Sequence, residues 1–75
     1  MGVDNKKATI TVCVNGEPRQ APRECTVRQL LEQLDVNPSH VVVELNGTIV
    51  NRDRIGSTPV PADARIEIVH FVGGG

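Results

Sequence analysis

The sequence predicts a small α+β domain, a mixed β-sheet of four to five strands with one main helix packed on one face. Three observations carry this reading. Strand-like segments recur at Ala8–Val14, Val41–Leu45 and Arg65–Val72, with apolar and polar residues alternating in the first and last, the period of a half-buried strand. Asn-Gly occurs at Asn15-Gly16 and again at Asn46-Gly47, and this dipeptide favours two-residue hairpin turns because both positions tolerate positive φ. Finally, Val27, Leu30, Leu31 and Leu34 fall at i, i+3, i+4 and i+7, a continuous apolar stripe on a helix.

In chain order, Met1 to Lys7 is polar and expected to be loose. Ile10, Val12 and Val14 then share one side of the first strand, with Thr9, Thr11 and Cys13 on the other. After the first Asn-Gly turn, Glu17–Ala21 returns as a second strand; Pro18 and Pro22 place it at an edge, because proline cannot donate to a ladder. Thr26 is a natural N-cap and Gln29 completes a capping-box pattern, so a helix is expected from about Val27 to Leu34. Pro38 disfavours helical geometry at Asn37, and the helix should end over Asp35–Pro38. Val41–Leu45 and Thr48–Asn51 form a second hairpin around Asn46-Gly47. Arg52 to Asp63, with Gly56, Pro59 and Pro61, reads as a polar connection, and Arg65–Val72 as the last strand. The expected core is Ile10, Val12, Val14, Val27, Leu30, Leu31, Leu34, Val43, Leu45, Ile66 and Ile68.

The order ββαβββ with one helix implies a β-grasp. The helix lies diagonally across one face, and the first and last strands pair in parallel at the centre. Residues 1–75 are read as a single domain.

Composition excludes several functions. The chain has 75 residues, net charge −1, one Phe and neither Tyr nor Trp. Without a basic stripe or aromatic cluster, no nucleic-acid partner is expected. No apolar run approaches the roughly 20 residues of a membrane span. Lys6 stands where a myristoylation motif needs Ser or Thr, so no membrane partner is expected and the chain reads as cytoplasmic. Cys13 and Cys25 lack the spacing of a metal or redox motif and are expected as free thiols; Cys25, just before a helix start, is a candidate for mild activation. A phosphate-cradling loop and a metal-ligand cluster are both missing from the sequence, so neither a catalytic residue nor a bound cofactor is expected.

The chemistry-bearing feature is the end of the chain, Phe71-Val72-Gly73-Gly74-Gly75. Glycine lacks a Cβ, so an extended Gly-Gly tail enters channels that ordinary side chains would block. What it presents there is an α-carboxylate. One reading is a carrier whose reactive group is its C-terminus; the other is a frayed end or a linker remnant.

Several stretches carry a resemblance: Val12–Glu17, Thr26–Leu31, Val43–Gly47 with Ile49, Val50 and Arg52, and Ile66–Gly75. In these the chain resembles the ubiquitin-like sulfur carriers, and among them the ThiS-type carriers of thiamine biosynthesis. The likeness covers most of the chain from Thr9 onward. It departs at Ala62-Asp63-Ala64, where the family commonly has Gly-Asp. The resemblance implies a carrier protein, not an enzyme. A ubiquitin-activating-enzyme-like adenylyltransferase, using ATP and Mg, would adenylate Gly75, and a persulfide sulfur donor would convert the adenylate into a thiocarboxylate. Thiazole synthase would then take the sulfur. Gly74 gives the tail clearance, and Gly73 extends its reach to about 10 Å at roughly 3.3–3.6 Å per residue. A carrier for molybdopterin, cysteine or tRNA thiolation is the nearest alternative. A β-grasp interaction module without tail chemistry is the alternative of a different class.

In the last strand, alternation turns Ile66 and Ile68 toward the helix and leaves Val69 and Phe71 on the opposite face, beside the tail. Val69, Phe71 and Val72 are therefore candidates for partner docking; the competing reading folds Phe71 back over the sheet end. His70 shares the inward parity of Ile68 near the end of the strand and reads as a satisfied or half-exposed structural histidine. His40 is expected to be solvated, and Arg52–Arg54 to form a polar turn.

Overall fold

A computed structural model describes residues 9–71. Its elements are β1 (Thr9–Val14), β2 (Glu17–Pro22), α1 (Val27–Gln33), β3 (Val41–Leu45), β4 (Thr48–Val50) and β5 (Arg65–His70), with single 3₁₀ turns at Pro38–His40 and Arg52–Arg54. They form one five-stranded sheet in the order β2-β1-β5-β3-β4. β1 and β5 pair in parallel, Cys13 opposite Arg65 and Val14 opposite Ile66, and every other pairing is antiparallel. The β-grasp is as expected, with the last strand at its centre and β2 at an edge.

Local chemistry accounts for each turn. Asn15 and Asn46 have φ of 50° and 51°, and Gly16 and Gly47 follow at 86° and 88°. Both central residues of each hairpin turn are thus left-handed, matching the twist of the flanking strands. At the head of α1 the Thr26 hydroxyl accepts the Gln29 N–H at 3.2 Å, and the Gln29 side chain accepts the Thr26 N–H at 2.8 Å. The helix stops earlier than Pro38 requires. Asp35 enters the left-handed region at φ 62°, its N–H donates to the Glu32 carbonyl and that of Val36 to Leu31. This Schellman pair satisfies the last carbonyls of the helix. Pro38 instead opens the following 3₁₀ turn, capped by Asn37 through the Ser39 N–H at 2.9 Å.

The core lies between α1 and one sheet face. Val12, Val14, Val27, Leu30, Leu31, Val43, Ile66 and Ile68 are buried, while Ile10, Leu34 and Leu45 are partly buried against them. Ala21, Cys25, Val41, Ile55, Val60 and Ala64 complete it. Ile55 and Val60 correct the reading of 52–63 as a merely polar connection. The segment passes the start of the helix, where the Ile55 carbonyl accepts the Arg28 N–H and Thr58 accepts that of Val27. It thereby satisfies two orphan helix donors while seating two aliphatic side chains.

Candidate functional site

The strand that carries the tail lies at the centre of the sheet, held on both sides. On its β1 side, the Cys13 and Asn15 N–H groups donate to the Ala64 and Ile66 carbonyls. β1 ends there, but its ladder continues through a side chain. The Asn15 carboxamide accepts the Ile68 N–H at 2.7 Å and donates to the Ile68 carbonyl at 3.1 Å, standing in for the next residue of a longer strand. On the other side Asn46 does a similar service, its carboxamide oxygen accepting the Arg65 N–H at 2.8 Å. The Phe71 N–H reaches the His40 carbonyl at 3.1 Å. Both Asn-Gly turns therefore bind β5, a role the sequence reading did not assign them.

Outward-facing side chains of the same strands form the candidate site. Val69 and Phe71 are 58% and 40% exposed, as alternation predicts, and Val42 and Ile49 join them at 40% and 57%. Val42 is the direct cross-strand partner of Val69. Phe71 lines a cleft of about 160 Å³ beside β4, together with outward Val42 and Ile49, the polar Asn51 and Arg52, and the core residues Leu31, Val41, Val43 and Ile55. Val72, Gly73, Gly74 and Gly75 lie outside the described residues.

His70 is more open than its parity alone suggests. It has the parity of Ile66 and Ile68 yet is exposed. The seven residues of α1 span only about 10 Å at 1.5 Å per residue, about half of the roughly 20 Å of the six-residue β5. The strand outruns its cover, and parity alone does not bury its last residue. His40 is exposed, and Arg52–Arg54 is one exposed 3₁₀ turn.

The thiols are free, Cys13 half-buried and Cys25 buried. Activation of Cys25 is corrected: burial pushes its thiol above the ordinary value, outweighing the opposing backbone hydrogen bond. A neutral thiol in an apolar setting is a poor nucleophile. Its N–H donates to the Pro22 carbonyl and its own carbonyl accepts the Val60 N–H, so the residue acts as a core brace beneath the helix start.

The sequence model of the ThiS family matches residues 12–75. The chain belongs to the ThiS family. It resembles the crystal structure of the thiamine biosynthesis protein ThiS from Geobacter metallireducens, with a TM-score of 0.77 and 33% identity across 88% of this chain and 100% of that one. It is 42% identical over 62 residues to a thiazole synthase of Magnetococcus marinus, a match that takes in 83% of this chain but 19% of that relative. An uncharacterized protein of Porphyra purpurea, ycf40, is 32% identical over 66 residues, 88% of this chain and 93% of its own length. As a member of the ThiS family, the chain is a ThiS-type sulfur carrier, with the mixed five-stranded sheet and single helix of its solved relative.

Proposed function

We propose that this carrier delivers sulfur as a thiocarboxylate on Gly75 for thiazole formation in thiamine biosynthesis. The observation that carries the proposal is the family match running through residue 75, joined to the likeness of most of the chain to part of a thiazole synthase.

The chemistry has a simple logic. A carboxylate resists attack by sulfur because its leaving group would be oxide. One Gly75 carboxylate oxygen attacks the α-phosphorus of ATP on a separate adenylyltransferase, with Mg, and pyrophosphate departs. The terminal sulfur of a persulfide donor then attacks the acyl carbon and expels AMP. A thiol cleaves the resulting acyl disulfide, leaving the thiocarboxylate on Gly75 and a new disulfide on the donor. Thiazole synthase is the proposed acceptor. Gly73 and Gly74 carry no side chain to obstruct the tail in either partner, and Val69, Phe71 and Val72 provide docking surface next to it.

Isotope exchange between pyrophosphate and ATP tests the activation step. The full chain should support exchange with its adenylyltransferase, and a chain ending at Gly73 should not. Equal exchange by both would overturn the assignment of Gly75.

A further inference from the structure

The two Asn-Gly turns match closely in backbone geometry. Asn15 and Asn46 have φ of 50° and 51°, and Gly16 and Gly47 have φ of 86° and 88°. The space beside the two glycines is equally open, since a Cβ built on either would meet nothing within 4 Å. Asn-Gly is also a reactive pair, because no Cβ shields the glycine nitrogen from the carboxamide carbon before it. Local geometry gives neither turn an advantage in that reaction.

What separates them is how each carboxamide is tied to β5. That of Asn15 is held at both ends, its oxygen accepting the Ile68 N–H at 2.7 Å and its nitrogen donating to the Ile68 carbonyl at 3.1 Å. Both bonds are partly buried. The Asn46 carboxamide is held at one end, its oxygen accepting the Arg65 N–H at 2.8 Å in an exposed bond. Its nitrogen has no partner among the described residues. Swinging the Asn15 carboxamide toward Gly16 breaks two bonds and strands a partly buried N–H and carbonyl. The same movement at Asn46 breaks one bond, and water can replace it.

We propose that Asn46 is a site of spontaneous deamidation in the folded chain, and that the double hold on Ile68 protects Asn15 from the same reaction. The Gly47 nitrogen forms a bond to the Asn46 side-chain carbonyl carbon. The bond from that carbon to the side-chain nitrogen breaks, and the nitrogen leaves as ammonia with the Gly47 proton. Water then opens the five-membered imide. Attack at the side-chain carbonyl gives aspartate, and attack at the backbone carbonyl gives isoaspartate. No electrons are exchanged, and water is the only co-reactant.

The products differ in their effect on β5. Aspartate keeps an oxygen for the Arg65 N–H and adds charge to that bond, which strengthens it. Isoaspartate inserts a methylene into the backbone of a turn that depends on left-handed geometry at both positions, and the Arg65 N–H loses its acceptor. Arg65 is the first residue of β5, so the change falls at the end of the strand away from the tail. The inference holds whether or not the carrier reading does.

Peptide mapping tests it. The full chain is kept in warm, mildly alkaline buffer, folded or in denaturant, and digested at intervals. Fragmentation assigns each replacement of a side-chain NH2 by OH and distinguishes aspartate from isoaspartate. In the folded chain Asn46 should react at least about tenfold faster than Asn15. In denaturant, where neither carboxamide is tied, the two rates should converge. Hydrogen exchange at Arg65 should be faster in the isoaspartate form, with Ile68 unchanged. Equal rates in the folded chain, or a faster Asn15, overturn the inference. So does a difference that persists in denaturant, because flanking residues and not β5 would then set it. Unchanged exchange at Arg65 in the isoaspartate form overturns the link to β5.

Discussion

The two faces of the sheet are built from the same strands and differ in almost every other respect. On the helix side, Val12, Val14, Val43, Ile66 and Ile68 are buried against Leu30 and Leu31. On the far side, the alternate positions of β3 and β5 hold exposed Val42 and Val69, with Glu44 and Glu67 directly opposite each other and Arg65 next along β5. One face removes apolar surface from water; the other leaves such surface in water and sets like charges side by side. Stability explains the first and is opposed by the second. A chain of this length has one small core and little stability to spare, so an outer face arranged against stability points to contacts made with another molecule.

This contrast is broken most directly from the buried side. Leu30→Ala should cost about 2–5 kcal/mol in chemical denaturation, because it empties a fully buried leucine site. A shift below about 1 kcal/mol would show that the helix stripe contributes less than its burial implies. Asn15→Gly comes next. Glycine keeps the left-handed turn but removes the carboxamide from Ile68, and an unpaired, partly buried N–H should cost about 1–3 kcal/mol. The same variant should speed hydrogen exchange at Ile68 while leaving Leu30 protected. Uniform exchange across the sheet would mean that the clamp does not act locally.

Phe71→Ala sharpens the contrast from the exposed side. Denaturation should shift by less than about 0.5 kcal/mol, the usual range for a surface change. Binding to the adenylyltransferase should weaken by roughly 1–3 kcal/mol if Phe71 anchors the contact. Equal affinity would remove Phe71 from the docking surface.

The smallest effect concerns Cys25. Its thiol titrates above the ordinary value of 9.0 in the fold because burial disfavours the thiolate. The folded chain therefore holds more protons than the unfolded chain above that pH, and the contribution to stability, complete below it, is lost as pH rises through the folded value. In Cys25→Ala the decline of stability at alkaline pH should be shallower than in wild type. An identical slope would place the titration elsewhere.

How far the fold was legible follows from the range of the signals. Periodicity and turn chemistry act over a few residues, and they located every strand, the capped helix and the parallel centre. Features set by distant partners were out of reach. Asn15 reads as a turn residue, but its hold on Ile68 spans 53 positions and depends on where β1 ends relative to β5. Ile55 and Val60 sit among polar residues without a period, and only the helix start that they cover makes them core. Cys25 resembled an activated thiol because its proximity to a helix was visible and its burial was not. The outward direction of Val69 and Phe71 followed from alternation; the opposition of Glu44 and Glu67 needed the register.

The central claim is that the outer face and β5 serve a reaction at the end of the chain. Intact mass, measured after incubation with the adenylyltransferase, ATP, Mg and a persulfide donor, tests this most directly. The account predicts a gain equal to the replacement of one oxygen by one sulfur, mapped by fragmentation to Gly75. It should be kept in Cys13→Ser and Cys25→Ser and lost when Gly74 and Gly75 are removed. A gain that survives loss of the glycines, or that maps to a cysteine, would contradict it.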